Sequence, residues 1–313
     1  MKILTSAHIH ELDKYTIQHE PIKSIDLMER AAKAITEAIM RRWTTHTPIV
    51  TFAGPGNNGG DALAVSRMLA DQGYSVRVYL FNITGKLSDD CSTNRQRIID
   101  DKRIKSFMEV TTKFDIPELD ATSLIIDGLF GSGVNKPLAG GFAALVKYIN
   151  QCPAKVVSID MPSGLMTEDN SYNVRANIIR ADYTLTLHSK KLSMYLADCQ
   201  EYLGKVQVLD IRLSQEYMRD VDATYSILEE KDIRPRLLPR NDFAHKGSMG
   251  NALIIAGSYG MSGAAILSAR ACLRAGAGKV TVHTPRKNYD IMQTSVPEAV
   301  LHMDHEETYF SES

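Results

Sequence analysis

The sequence predicts an α/β protein whose strands lie in parallel sheets. Three observations carry this. A glycine-rich turn at residues 53–63 joins a short β-rich run to a helical one. Two continuous apolar runs, residues 123–126 and 155–159, end abruptly at Asp127 and Asp160, as strands buried on both faces of a parallel sheet do. A second glycine-rich strand–turn–helix–strand unit begins near Asn251 and closes at His283.

The chain of 313 residues has room for one large or two ordinary domains and a sizeable core. Its 44% hydrophobic and 23% charged content is that of a soluble globular protein. With 36 basic against 37 acidic side chains, there is no electrostatic case for nucleic acid or a membrane surface. Cys91, Cys152, Cys199 and Cys272 lie far apart without a CxxC pair and read as reduced thiols, in keeping with the cytoplasm. His8, Glu11 and Asp13 stand where a signal peptide needs an apolar core, and no apolar run nears the ~20 residues of a membrane span.

In chain order, residues 6–19 and 24–43 predict two helices separated by a break at Glu20-Pro21. In the second, Ile25, Leu27, Met28, Ala31, Ala32, Ile35, Ala38 and Ile39 form one apolar face, Ser24 is the expected N-cap, and Met28 and Met40 are packing residues. Residues 47–52 read as a strand, 62–70 as a helix stopped by Gly73, and 74–81 as the next strand. Residues 89–101 read as a polar helix with a solvated face and no chemistry attached. Two further strands are expected from the runs after Arg180 and Gly204. Between them, His188 and the Lys190-Lys191 pair carry no assigned role, and Asp210 is read as structural.

The turn holds Gly54, Gly56, Asn57, Asn58, Gly59, Gly60 and Asp61. Glycines let the backbone turn tightly and expose its amides, and the free N–H groups at a helix start attract an anion such as phosphate. Gly54, Gly56 and Gly59 also satisfy the GxGxxG of a nicotinamide dehydrogenase, but the ribose-binding acid such an enzyme carries at the end of the second strand is replaced by Leu80, Phe81 and Asn82. Asp61 as a helix cap and the asparagines as turn formers are the structural alternative. A second glycine-rich loop follows Asp127, with Gly128, Gly131 and Gly133 around Ser132, Asn135 and Lys136, and Asp160 is followed by Met161, Pro162, Ser163 and Gly164. Each aspartate alone could form a turn. Together they sit at strand ends that form the ligand crevice of an open parallel sheet.

The segments GPGNNGGDAL, IIDGLFGSGVNKPL and SIDMPSGL resemble, in order and spacing, those of the NAD(P)H-hydrate epimerase family, the YjeF N-terminal domain. The resemblance covers residues 4–213, including SAHIHELDKYTI and DLMERAA. It implies a Rossmann-like, three-layer αβα parallel-sheet domain at residues 1–215 that interconverts R and S forms of NADHX or NADPHX, in which water has added to the nicotinamide ring. It further implies that Asn57, Asn58, Gly59, Gly60 and Asp61, with Gly131, Ser132, Gly133, Val134, Asn135, Lys136 and Pro137, hold the ligand. By the same token Asp160 also contacts it, and Asn58, Asp127 and Ser163 coordinate potassium. Our mechanistic expectation makes Asp160 the catalytic residue, protonating the departing hydroxyl and later deprotonating the returning water. That role asks for a proton affinity raised by the apolar strand behind it. Lys136 stands where relatives often carry arginine, which keeps the charge but not the two-pronged phosphate contact.

Residues 216–240, with Arg234-Pro235-Arg236 and Leu238-Pro239-Arg240, read as a linker. Residues 241–313 are read as a partial second domain, in which the stretch KGSMGNALIIAGSYGMSGAAILSARACLRAGAGKVTVHTP at residues 246–285 resembles the opening of the ADP-dependent NAD(P)HX dehydratase domain, a ribokinase-like α/β fold. That resemblance would bring the loop around Gly263 and Ala264 to the hydrated nicotinamide. Less than half of that module precedes Ser313 and no GTGD-like segment occurs, so no dehydratase activity is expected of this chain alone. A partial sheet is expected to be mobile, protease-sensitive or covered by a partner chain. Potassium is the expected cofactor, with ADP needed only by a complete dehydratase domain. The expected partners are NADHX or NADPHX and further copies of the chain in a homo-oligomer, with no nucleic acid and no membrane. A non-catalytic binding or scaffold module on the same fold is the alternative.

Overall fold

A computed structural model describes residues 1–101, 103–237 and 239–311. Leu238, in the expected linker, lies outside them. The chain divides into two units, Met1–Glu229 and Glu230–Ser313. The strands in chain order are β1 (Lys2–Ile3), β2 (Ile49–Ala53), β3 (Val76–Phe81), β4 (Ser106–Val110), β5 (Leu124–Gly128), β6 (Lys155–Ile159), β7 (Tyr183–Leu187), β8 (Lys205–Leu209), β9 (Tyr225–Ser226), β10 (Asn251–Ile255), β11 (Lys279–Thr284) and β12 (Val300–Met303).

In the first unit seven parallel strands run in the order β4-β3-β2-β5-β6-β7-β8. Alternate residues serve opposite faces. Ile49, Val76, Val78, Leu124, Ile126 and Val157 enter one core, while Val50, Phe52, Tyr79, Phe81, Ile125 and Val156 enter the other. The first core is closed by the helices α2 (Ser24–Met40), α3 (Asn57–Asp71) and α4 (Asp89–Asp100), and the second by α5 (Gly140–Gln151). Burial of both strand faces is why these runs are continuously apolar. Ahead of them, α1 (Ser6–His19) packs Leu12 against Leu27, Ala31, Ile211 and Leu213. The chain winds outward from β2 through β3 to β4, then returns to β5 and proceeds the other way. The sheet therefore switches direction between β2 and β5, and a crevice opens at their C-terminal ends.

Several details differ from the sequence reading. Lys23 rather than Ser24 is the N-cap of α2, and the Ser24 hydroxyl donates to Asp90 Oδ2 at 2.5 Å. In α4, Cys91, Asn94 and Ile98 turn inward, so only part of that helix is solvated. Strand β4 carries little sequence signal, because an edge strand with four half-exposed or exposed residues in a row needs no apolar run. Residues 225–226 pair antiparallel with Lys2 and Ile3.

The second unit holds a parallel sheet of order β10-β11-β12 with the helix Ser262–Arg274 on one face, around Ala265, Ala269, Val280, Val282 and Met292. Leu253 and Ile255 on β10 remain exposed. No described helix is long and apolar enough to cross a membrane, and the four cysteines are unpaired.

Two glycines set the seam at the switch point. A Cβ on Gly59 would lie 1.7 Å from the Gly54 carbonyl oxygen, and one on Gly54 would lie 1.8 Å from that of Leu129. Gly59→Ala must therefore push α3 away from β2, and we expect a loss of about 3 kcal/mol in urea unfolding; an unchanged midpoint would show that the seam is not tightly packed.

Candidate active site

Helix α3 begins at Asn57, with Gly56 as an N-cap that offers no side-chain oxygen. Asn57, Asn58, Gly59, Gly60 and Asp61 thus form the first turns of a helix rather than a loop, and their leading amides keep a free, positive end of the helix dipole. Asparagine and glycine have poor helix propensity, but tertiary contact overrides it here: Gly60 leaves space that Met28 of α2 fills, a Cβ there falling 2.8 Å from its sulfur. Asp61 caps nothing; it is buried in the second turn.

The second wall comes from the loop after β5. Gly131, Ser132, Gly133, Val134, Asn135 and Lys136 line the same cavity of 1240 Å³ as Asn57, Asn58, Asp61 and Asp160. A Cβ on Gly131 would meet Asn58 Cγ at 3.0 Å, so that glycine admits the asparagine side chain. Pro137 follows the loop without lining the cavity. The loop is braced by α1, where the Ser6 hydroxyl donates to the Ser132 carbonyl at 2.9 Å and the Ser6 amide to Glu168 Oε1 at 2.6 Å.

Behind this wall lies Asp127, fully buried near the end of β5. Its Oδ1 accepts from the Ser163 hydroxyl at 2.5 Å, and its Oδ2 accepts from the Ser158 hydroxyl at 2.7 Å and the Ser163 amide at 2.9 Å. Burial raises its proton affinity while those hydrogen bonds lower it, and burial prevails. Ser163 also ties in the loop, its Oγ accepting from the Phe130 amide at 2.9 Å. Asn58, alongside, has its Nδ2 buried with no hydrogen-bond partner. Turned over, that amide would present its oxygen at the same place. Amide, carboxylate, hydroxyl and carbonyl oxygens suit a hard cation. Among the described residues no group of three His, Cys, Asp or Glu side chains could hold a softer metal.

Asp160 follows β6 in a left-handed conformation, φ 61°, which a non-glycine residue adopts only at a cost. Its Oδ1 accepts a short hydrogen bond from the ammonium of Lys191, itself only 1% exposed, and longer ones from the Thr186 hydroxyl at 3.4 Å and the Leu187 amide at 3.3 Å. Lys191 also donates to Thr186 Oγ1 at 2.8 Å and the Leu187 carbonyl at 3.1 Å. The apolar strand expected behind Asp160 is present, and in addition a buried ammonium meets the carboxylate itself. Sequence reasoning missed Lys191. Its only available signal was a lysine five residues after the Thr186 of an apolar strand. His188, a lone histidine of the kind that more often packs than reacts, also lines the cavity in a left-handed conformation, and burial lowers its basicity.

Asp13 and Asp61 line the same cavity as the Asp160–Lys191 pair. Burial, then the charges of Asp160, Asp13 and Asp90, push Asp61 well above the usual carboxylate range. Asp13 of α1 is pushed to about 6 by burial and by Asp160, against a smaller lowering by Lys191. Ala264 belongs to the second unit, exposed near the start of the helix Ser262–Arg274.

Residues 24–193 match the family model described as YjeF-related protein N-terminus, and residues 252–312 match NAD(P)H-hydrate dehydratase. The bifunctional NAD(P)H-hydrate repair enzyme Nnr of Coxiella burnetii is 32% identical over 94% of this chain and 58% of its own length. The NAD(P)H-hydrate epimerase of Limosilactobacillus fermentum is 33% identical over 66% of this chain and 95% of its own. A crystal structure of yeast ynu0 (YNL200c) superposes with a TM-score of 0.56 at 20% identity, over 74% of this chain and 98% of that one, a likeness of fold. The chain spans 58% of the length of the bifunctional relative from Coxiella burnetii. With its epimerase-type domain matched over more than half of its residues and a dehydratase-type segment behind it, the chain belongs to the YjeF-related family of NAD(P)H-hydrate repair enzymes.

Proposed function

We propose that the first unit interconverts R- and S-NADHX and their phosphorylated counterparts, a repair of damaged nicotinamide cofactors. The observation that carries this reading is the buried Asp160–Lys191 pair opening into a roomy cavity beside the free helix end of α3. A non-catalytic module would be favoured by a blocked crevice, and this one is open.

In the substrate class, the carbon bearing the added hydroxyl lies beside the ring nitrogen. The nitrogen lone pair can form a C=N bond as the C–O bond breaks, provided that the hydroxyl receives a proton and leaves as water. The flat ring then accepts water on either face, and a base removes the proton. Asp160 is proposed to hydrogen-bond that oxygen and to pass the proton, with Lys191 fixing the carboxylate in place. The amides at the start of α3 and Lys136 on the facing loop are proposed to hold the dinucleotide phosphates, Lys136 as a point charge. Asn58, Asp127 and Ser163 are proposed to hold potassium, which when bound would supply fixed positive charge at the joint between α3 and the two strand ends.

Purified chain is expected to speed equilibration of R- and S-NADHX, followed by chromatographic separation of the two forms. Asp160→Asn should lower turnover by roughly 10²- to 10⁴-fold while ligand binding persists; undiminished turnover would remove Asp160 from the mechanism. Lys191→Met leaves the Asp160 carboxylate buried without its cation and should cost about 3–5 kcal/mol of stability as well as activity. Asn58→Ala should abolish any potassium dependence of the rate at an unchanged melting temperature in potassium-free buffer, and a rate that responds to potassium as before would exclude Asn58 as a ligand.

A further inference from the structure

On α1, Ile9, Asp13 and Ile17 stand four residues apart in one stripe, and all three line the cavity. Ile9 and Ile17 pack against the apolar cluster of Leu12, Leu27 and Ala31. A carboxyl within that stripe breaks the amphipathic pattern of the helix, and burying it is costly unless it is partnered. Among the described residues no hydrogen bond to another group satisfies it. What surrounds it is charge: Asp160 beyond β6, Lys191 beyond β7 and Asp61 of α3, with Asp90 at the start of α4 bearing on Asp61. His10 and Lys14 flank the cavity from α1 itself, and His188 and Glu168 from the sheet side. The helix is held at this wall by the Ser6 contacts to Ser132 and Glu168.

We propose that Asp13 is a second acid–base residue, acting on the hydrated ring from a different wall of the cavity than Asp160. The proposal rests on the epimerase reading above. Inverting the carbon requires the hydroxyl to leave from one face and water to return to the other, which one fixed carboxyl serves poorly unless the ring turns over. With two, the carboxylic acid of Asp13 gives its proton to the hydroxyl, the C–O bond breaks with its electron pair leaving on water, and the nitrogen lone pair forms the C=N bond. Water then adds to the opposite face, its oxygen forming the new C–O bond while the Asp160 carboxylate takes its proton. One proton is lost by Asp13 and one gained by Asp160, which is the charge state needed for the reverse direction. The active pair therefore carries a single proton between its two carboxyls.

Such a residue should show itself in folding as well as in rate. A carboxyl with a raised folded-state pKa binds its proton more tightly when folded, so its contribution is full below its unfolded value, 3.8, and is lost as pH rises to about 6. Asp13→Asn, a near-isosteric neutral replacement, should raise the melting temperature of the full chain at pH 8 and leave it unchanged at pH 3.5. With R- and S-NADHX as the probes, the same variant should lose roughly 10²-fold in kcat, with KM within about threefold. It should also lose the limb of the pH profile that falls as pH rises through about 6. Asp13→Glu should recover part of the rate. If the unsubstituted chain equilibrates NADHX and Asp13→Asn does so at the same rate with the same pH profile, the proposal is overturned and the epimerase reading stands. If the unsubstituted chain does not equilibrate NADHX at all, that reading and the proposal fall together.

Discussion

The Asp127 carboxylate is the constraint around which the first unit closes. It is a fully buried charge in the middle strand pair of a parallel sheet, and such a group is tolerable only if its lone pairs are occupied. Ser158 on the neighbouring strand and Ser163 in the following turn occupy them, and Ser163 passes the connection on to Phe130. One carboxylate thereby fixes the end of β5, the end of β6 and the root of the loop that forms one wall of the cavity. The same loop must leave room for Asn58, which is why Gly131 lacks a side chain where a Cβ would press on the asparagine.

The parts of this arrangement that were legible in the sequence are those written in consecutive residues. An apolar run ending at Asp127 or Asp160 announces a strand edge, because the change from apolar to acidic falls where burial ends. The glycines of residues 54–60 announced a tight approach, but not that Asn57 already begins a helix, because propensity argues against it and only the packing of Gly59 on Gly54 and Gly60 on Met28 decides it. Lys191 and Asp13 were illegible for a different reason. Lys191 sits in no motif, and Asp13 lies in the SAHIHELDKYTI stretch with nothing local to give it a role; each matters only because the chain folds it against Asp160, from 31 residues away in one case and from the other end of the domain in the other. The Ile9, Asp13, Ile17 spacing was the one local sign: an acid on the apolar stripe of an amphipathic helix.

Charge in the cavity follows a consistent physical pattern. Asp13, Asp61 and Asp160 crowd together with Lys191 as the buried counter-charge, and burial with the neighbouring carboxylates raises the proton affinity of Asp13 and Asp61. This cluster makes the fold less stable at neutral pH than a neutral lining would. Parallel strands β6 and β7 add to the cost, because both end in residues of left-handed backbone, Asp160 and His188, neither of them glycine. A fold that only needed to close its sheet could place glycine at both positions. Side chains are kept there, at the mouth of the cavity, and the strained backbone aims them.

These features fit together when the cavity is seen as having two functions on two levels. The lower level, Asp127 hydrogen-bonded by Ser158 and Ser163, fixes where the walls stand. The upper level gathers Asp13 and Asp61 around the Asp160–Lys191 pair. Firm walls keep these carboxyls close, because like charges would otherwise move apart. Helix α1 is pinned at Ser6 to Ser132 and Glu168, and α3 is locked by backbone contact at Gly59, so neither wall can relax away from the other. The proton chemistry of the cavity is therefore a consequence of packing several residues away from it.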